Sequence, residues 1–251
     1  MAATEYAARP FGPRALRRAW ALLALRPLAL LAAQALVAAV LAAAGAGEPW
    51  WESAAWWPVA GVLANVACGV ALIAAARADG APLGHLVAPG RWRRGDTLVA
   101  APAAAALAAL ALAAPPWIAA RVYADPTAGT AVLSASLPAW AAWGALLLFP
   151  VTTALVEWPT LGGYVRPRLA ATRLGPAGAA LLVGAVAGAQ LAALPFLPAR
   201  TFVAWRATML VPFGLAALAL LSWRPRLLPA VLLVGLGLSL AAVVPLWLAS
   251  T

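Results

Sequence analysis

Leu227–Leu248 reads LLPAVLLVGLGLSLAAVVPLWL, 22 residues without a charge. At 1.5 Å per residue this run makes a helix of about 33 Å, enough to cross about 30 Å of hydrocarbon. Six further segments of the same kind precede it: Pro27–Gly45, Trp57–Ala76, Thr97–Trp117, Ala131–Pro150 with a continuation to Tyr164, Ala177–Phe196 and Phe202–Leu221. The whole chain is 251 residues, 65% apolar and 10% charged. A soluble domain of that length could not hide so much apolar surface. The expected fold is therefore all-α, a polytopic transmembrane helix bundle of about seven spans.

Charge sets the orientation. All 17 basic residues are arginine, and they alternate by loop. One side collects Arg9, Arg14, Arg17, Arg18 and Arg26, then Arg77, Arg91, Arg93 and Arg94, then Arg166, Arg168 and Arg173, and finally Arg224 and Arg226. The other side holds only Arg121, Arg200 and Arg206. The positive-inside rule then predicts a cytoplasmic N-terminus and an outer C-terminus, consistent with an odd number of crossings. Residues 1–26 read as a basic cytoplasmic tail, 27–130 as N-terminal spans and 131–251 as a helical core. The arginine-only, alanine-rich composition suggests a bacterial cytoplasmic membrane. A cleaved signal peptide is the alternative for the first apolar segment, but its long basic lead favours a retained helix. Tryptophans near segment ends (Trp50, Trp51, Trp56, Trp57, Trp117, Trp247 outside; Trp20, Trp92, Trp223 inside) are expected as headgroup anchors.

The net charge of +10 finds its explanation in topology. No soluble module carries a basic run interleaved with aromatics of the kind that marks nucleic-acid binding. Membrane lipids are the expected surroundings, and their anionic headgroups should attract the arginine-rich face. Cys68 is the single cysteine and reads as packing, since no internal disulfide is possible. His85 is the single histidine, in a loop with Pro82, Gly84 and Pro89, so neither a zinc site nor a serine or cysteine triad is expected. No phosphate loop or dinucleotide fingerprint is present, and no cofactor is expected.

Few polar side chains interrupt the spans, and the main ones are Gln34, Asn65, Glu157, Gln190, Arg206 and Ser239. The amides are ordinary interhelical glue. Gly184 and Gly188 form a small-xxx-small pair that predicts close helix packing. Glu157 is the one acidic residue among these interruptions and a functional candidate for that reason. It follows Pro138 and Pro150 and precedes Pro159, so a kink or break is predicted there, followed by a second helix at the cytoplasmic interface. Broken helices at membrane depth usually border a cavity.

The run EWPTLGGYVRPRL over Glu157–Leu169 resembles the first motif of the CPBP family of CAAX prenyl and bacteriocin-processing intramembrane proteases, commonly E-E-x-x-x-R-G-Y-L-x-P-R-L. Gly163, Tyr164, Pro167, Arg168 and Leu169 fit, as do Gly175 and Pro176 beyond it. Only Glu157 retains a catalytic position of that motif; Trp158 stands for the second glutamate and Gly162 for the arginine. The second motif falls on Val186 and Gln190 in place of an aromatic and a histidine. The last helix resembles the family's through Leu228, Pro229, Ala230 and Val231, with Val234 and Leu238 at its histidine and asparagine positions. The resemblance covers roughly Thr153–Leu240.

The resemblance implies a cytoplasm-facing cavity in which glutamates and a histidine activate water. Trp158, Gly162, Val186, Gln190, Val234 and Leu238 are accordingly expected to line that cavity. Glutamine can orient a water but cannot accept its proton at neutral pH, and valine and leucine can do neither. Loss of a general base typically removes about 10²–10⁴ in rate, and loss of an oxyanion donor about 10²–10³. The expected activity is thus binding of a membrane protein, a peptide or a lipidated chain. An active endopeptidase using Glu157 is the first alternative. A transport or assembly subunit is the second, although no clear repeat of the transporter kind is visible.

Overall fold

The computed structural model describes residues 11–125, 127 and 133–251, and among these all regular structure is helical. The principal helices are α1 (Pro13–Ala43), α2 (Trp57–Ala78), α3 (Leu83–Val87), α4 (Arg94–Tyr123), α5 (Ala139–Trp158), α6 (Gly175–Ala189), α7 (Arg200–Thr208), α8 (Val211–Trp223) and α9 (Leu228–Ser250). Seven helical stretches are long and apolar enough to cross a membrane, and the chain is a multi-pass membrane protein. Local sequence explains many of the starts. Pro13, Pro58, Pro176, Pro212 and Pro229 occupy the first turns of α1, α2, α6, α8 and α9, where a missing N–H has no partner to lose.

Four of the expected spans differ from the observed helices. The first extends toward the N-terminus: α1 begins at Pro13, so Ala15, Ala19, Leu22 and Leu23 of the supposed tail are buried and Arg26 lies inside the bundle. Arg9 of that tail is outside the described residues. The fourth begins at Ala139; Ala131 and Val132 are outside the described residues. This segment also does not break into a crossing and a separate interfacial helix. After Trp158 the chain rewinds as a π-helix over Pro159–Val165 and continues as α-helix over Arg166–Ala170. A wider turn lets the helical path pass Pro159 without parting, because the backbone bonding shifts register.

The fifth span ends early, tightening to 3₁₀ geometry at Gln190–Ala193. The sixth is two helices, α7 and α8, parted at Met209 and Leu210 just before Pro212. Pro212 has no N–H for the Thr208 carbonyl four residues back, and its ring crowds that carbonyl, which supplies the local reason.

The closest helix pairs are α6 with α8, α5 with α9, α1 with α2, and α2 with α5. Glycine decides the first pair. A Cβ on Gly188 would stand 2.4 Å from the Val211 Cα, and one on Gly184 would stand 2.8 Å from the Leu215 Cα. The predicted small-residue contact is present. At the arginine-rich end two aspartates gather the helix termini. The buried Asp79 side chain receives Arg18 from α1, the Tyr164 hydroxyl at 2.7 Å and Arg168 Nη2 at 2.9 Å. Asp96, in the first turn of α4, faces Arg226 Nε at 3.1 Å and Arg224 Nη1 at 3.5 Å. These contacts bring the arginine-bearing ends to one face of the bundle.

Candidate functional site

The run that carries the family resemblance does two separate jobs. Its second half is structural. Arg168 is 1% exposed, stacks its guanidinium 3.4 Å above the centroid of Tyr164, and donates to the Tyr164 carbonyl at 2.9 Å as well as to Asp79. The backbone carbonyl of Leu86, in α3, presses so close to Gly163 that a Cβ there would lie 2.3 Å from it. Gly163, Tyr164 and Arg168 therefore dock the π-helical turn against the loop after α2.

The first half supplies the buried polar group. Glu157 is near the C-terminal end of α5, and its carboxylate is held on both oxygens. Arg26 Nη2 of α1 donates to Oε2 at 3.0 Å, and Gln190 Nε2 at the end of α6 donates to Oε1 at 2.6 Å. Arg26 Nη1 also donates to Asn65 Oδ1 of α2 at 2.7 Å. The Asn65 amide in turn donates to the hydroxyls of Thr153 at 3.0 Å and Thr152 at 3.2 Å. Six side chains from four helices thus form one continuous polar chain. Arg26, Asn65 and Glu157 each stand thirteen residues from the arginine-rich end of their helical stretch, at Pro13, Ala78 and Ala170. That is about 20 Å along each helix. At such depth a lone charge is expensive, and the pairing of Arg26 with Glu157 together with its flanking hydrogen bonds makes the burial tolerable.

A cavity of about 150 Å³ opens beside this chain. Arg26, Asn65, Thr153 and Glu157 form its polar end. Leu30, Phe149, Phe213 and Leu238 are among its apolar walls, and Arg206 and Ser239 are the other polar lining groups. Trp158 lies on the wall with its indole against Gly235, where a Cβ would come within 2.5 Å of Nε1. Trp57, expected as a headgroup anchor, is 5% exposed and also lines the cavity, its indole N–H bonded to the Leu133 carbonyl at 3.1 Å.

Of the residues expected on the cavity wall, the structure brings Glu157, Trp158 and Leu238 to it. Gln190 holds Glu157 by hydrogen bond but is not itself a wall residue. Gly162, Val186 and Val234 are elsewhere. Gly162 meets Leu221 and Leu228, while Val186 and Val234 pack on the main apolar core. The reason is the helical register. The π-helical turn aims Gly162 at the start of α9, and the faces of α6 and α9 that carry Val186 and Val234 serve packing.

Two residues central to the site carry little signal of that role in the sequence. Arg26 falls in the basic tail when the first span starts at Pro27; the apolar run Ala19–Leu25 is the signal that the helix has already begun. Arg206 reads from sequence as one polar interruption among several. It is 3% exposed and closes the end of α6, donating from Nε to the Leu191 carbonyl at 3.1 Å and from Nη2 to the Leu194 carbonyl. Gln34, by contrast, acts as the expected glue, joining Ser53 to both backbone groups of Phe196. No family model, curated protein or solved structure matches this chain.

Proposed function

We propose that this chain is a catalytically silent relative of the CPBP intramembrane proteases that acts by binding an apolar partner within the bundle. It would reside in a bacterial cytoplasmic membrane with its arginine-rich face toward the cytoplasm. The observation that carries the reading is the state of Glu157: both carboxylate oxygens are engaged, one by a guanidinium and one by an amide. A hydrolytic base needs a water at one oxygen and a second group to carry the proton onward. Gln190 accepts no proton, and Asn65, Thr153 and Ser239 are not acid–base groups at neutral pH. The acid–base set for hydrolysis is missing, whereas a cavity with mostly apolar walls remains.

The fit of Gly163, Tyr164 and Arg168 to a docking role supports the scaffold half of the resemblance, since those are the motif positions this chain keeps. The test is direct. Purified protein in lipid nanodiscs is incubated with farnesylated and unmodified peptides, and products are followed by mass spectrometry. No cleavage by either the native chain or Glu157→Gln is expected. Cleavage by the native chain that vanishes in Glu157→Gln would overturn the proposal.

A further inference from the structure

The charge around the cavity does not balance. Arg26 and Glu157 neutralise one another at one end. Arg206, on the same cavity, has no carboxylate within salt-bridge distance among the described residues. A guanidinium has five N–H donors. Two nitrogens of Arg206 serve the carbonyls of Leu191 and Leu194, the guanidinium carbon lies 5.9 Å from the Trp205 ring centroid, and Nη1 meets the thioether of Met209 at 3.7 Å. The residue is 3% exposed, so bulk water does not compensate the charge. Buried charges in membrane bundles ordinarily pair with one another or with backbone carbonyls, or face a water-filled cavity; the two carbonyls on Arg206 are dipoles and carry no net counter-charge.

We propose that the cavity takes a small anionic amphiphile, its carboxylate or phosphate against Arg206 Nη1 and its hydrocarbon along the wall made by Phe213, Leu210 and Leu238. The inference rests on the binding reading above and specifies the ligand class. Charge complementarity selects an anion, because one uncompensated positive charge remains after Arg26 and Glu157 cancel. Size sets the length of the enclosed tail. A cavity of about 150 Å³ matches those that hold benzene, so about six carbons are enclosed. A guanidinium N–H makes a charge-assisted hydrogen bond to either headgroup.

The test compares heads on one tail. Thermal unfolding of the purified protein in an uncharged maltoside detergent is followed while hexanoate, hexyl phosphate, hexanol or hexylammonium is titrated. A ligand that binds only the folded state raises the midpoint in proportion to its affinity. Hexanoate or hexyl phosphate, or both, should stabilise, and the stronger of the two identifies the headgroup. Hexanol and hexylammonium should bind at least about tenfold more weakly, the scale of a lost charge-assisted hydrogen bond. Arg206→Gln should abolish the preference for the anion, Arg206→Lys should retain part of it, and Leu238→Trp should remove binding by filling the cavity. If Arg206→Gln does not fold, Leu238→Trp and the comparison of headgroups still decide. Stabilisation by hexanol equal to that by the stronger anion, no stabilisation by either anion, or an anion effect that survives Leu238→Trp would overturn the inference. The peptide-cleavage assay is independent of all these outcomes, so a failure here is distinguishable from a failure of the binding reading.

Discussion

At the scale of single residues, the most consequential contact is between Arg26 and Glu157, 3.0 Å apart and buried in the bundle. Taking one partner away leaves the other as an uncompensated charge, which typically costs about 3–5 kcal/mol, whereas replacing both with apolar groups is often near neutral. Glu157→Gln and Arg26→Met should each lower stability by that order. The double variant Arg26→Met, Glu157→Met should be more stable than either single one. Denaturation of all four proteins in the same detergent closes the cycle, and simple additivity of the two losses would show that the pair is not coupled. Asn65 belongs to the same chain of bonds, so the Arg26 side chain keeps one acceptor even without Glu157.

Among elements, two junctions make distinct predictions. The α6–α8 contact depends on the absence of side chains at Gly184, Gly188 and Gly214. Gly188→Leu forces the helices apart against backbone and should destabilise by about 1–3 kcal/mol or more, the range of overpacking. An unchanged melting midpoint would mean that the helices are not seated as described. The second junction joins α1, the end of α2 and the extension of α5 through Asp79. Burial alone would raise the Asp79 carboxyl, but the hydrogen bonds from Tyr164 and Arg168, the Arg168 charge and the bond from Arg18 outweigh it and hold the group below the usual carboxylate range. The sign follows from linkage. The folded state binds the proton less readily than the unfolded chain, so the stabilisation is complete above the unfolded value of about 3.9 and is lost as pH falls below it. The native melting midpoint should therefore drop more steeply between about pH 5 and pH 3 than that of Asp79→Asn, which starts lower at neutral pH. Parallel pH profiles for the two proteins would remove Asp79 from that role.

For the molecule as a whole, the arginine-rich ends meet at Asp79 and Asp96, which puts the starts of α1, α4 and α9 and the ends of α2, the α5 extension and α8 on one face. Single cysteines introduced into Cys68→Ala protein test the orientation. Gly47→Cys, in the exposed turn after α1, should react with an impermeant maleimide on intact cells, and Arg173→Cys only after the membrane is opened. The reverse pattern would invert the topology. The same layout explains why the site lies where it does. Arg26, Asn65, Glu157 and Gln190 come from α1, α2, α5 and the end of α6, so the polar chain needs both the early spans and the later ones. The direct packing of α2 on α5 joins the early spans to the later ones.

What the sequence determined by itself was everything that depends on sums and periods along the chain. Apolar runs of spanning length, such as Leu227–Leu248, specify a crossing wherever they occur, and the arginine asymmetry specifies an orientation, because both are properties of local segments in a bilayer. Gly184 and Gly188 announced a close helix contact by spacing alone. The site was legible only in part. Glu157 stood out as an isolated carboxylate, yet its partner Arg26 is 131 positions away and read as part of a basic tail. Which face of a helix meets a neighbour is set by packing, so Gly162, Val186 and Val234 went to the core while Trp57 and Arg206 came to the cavity. The π-helical turn after Trp158 was equally out of reach, because prolines in a sequence mark where backbone bonding must change and not how the surrounding bundle accommodates the change. Only the tertiary structure brings two opposite charges and an amide to one point, since the energy that holds them there comes from mutual desolvation across helices.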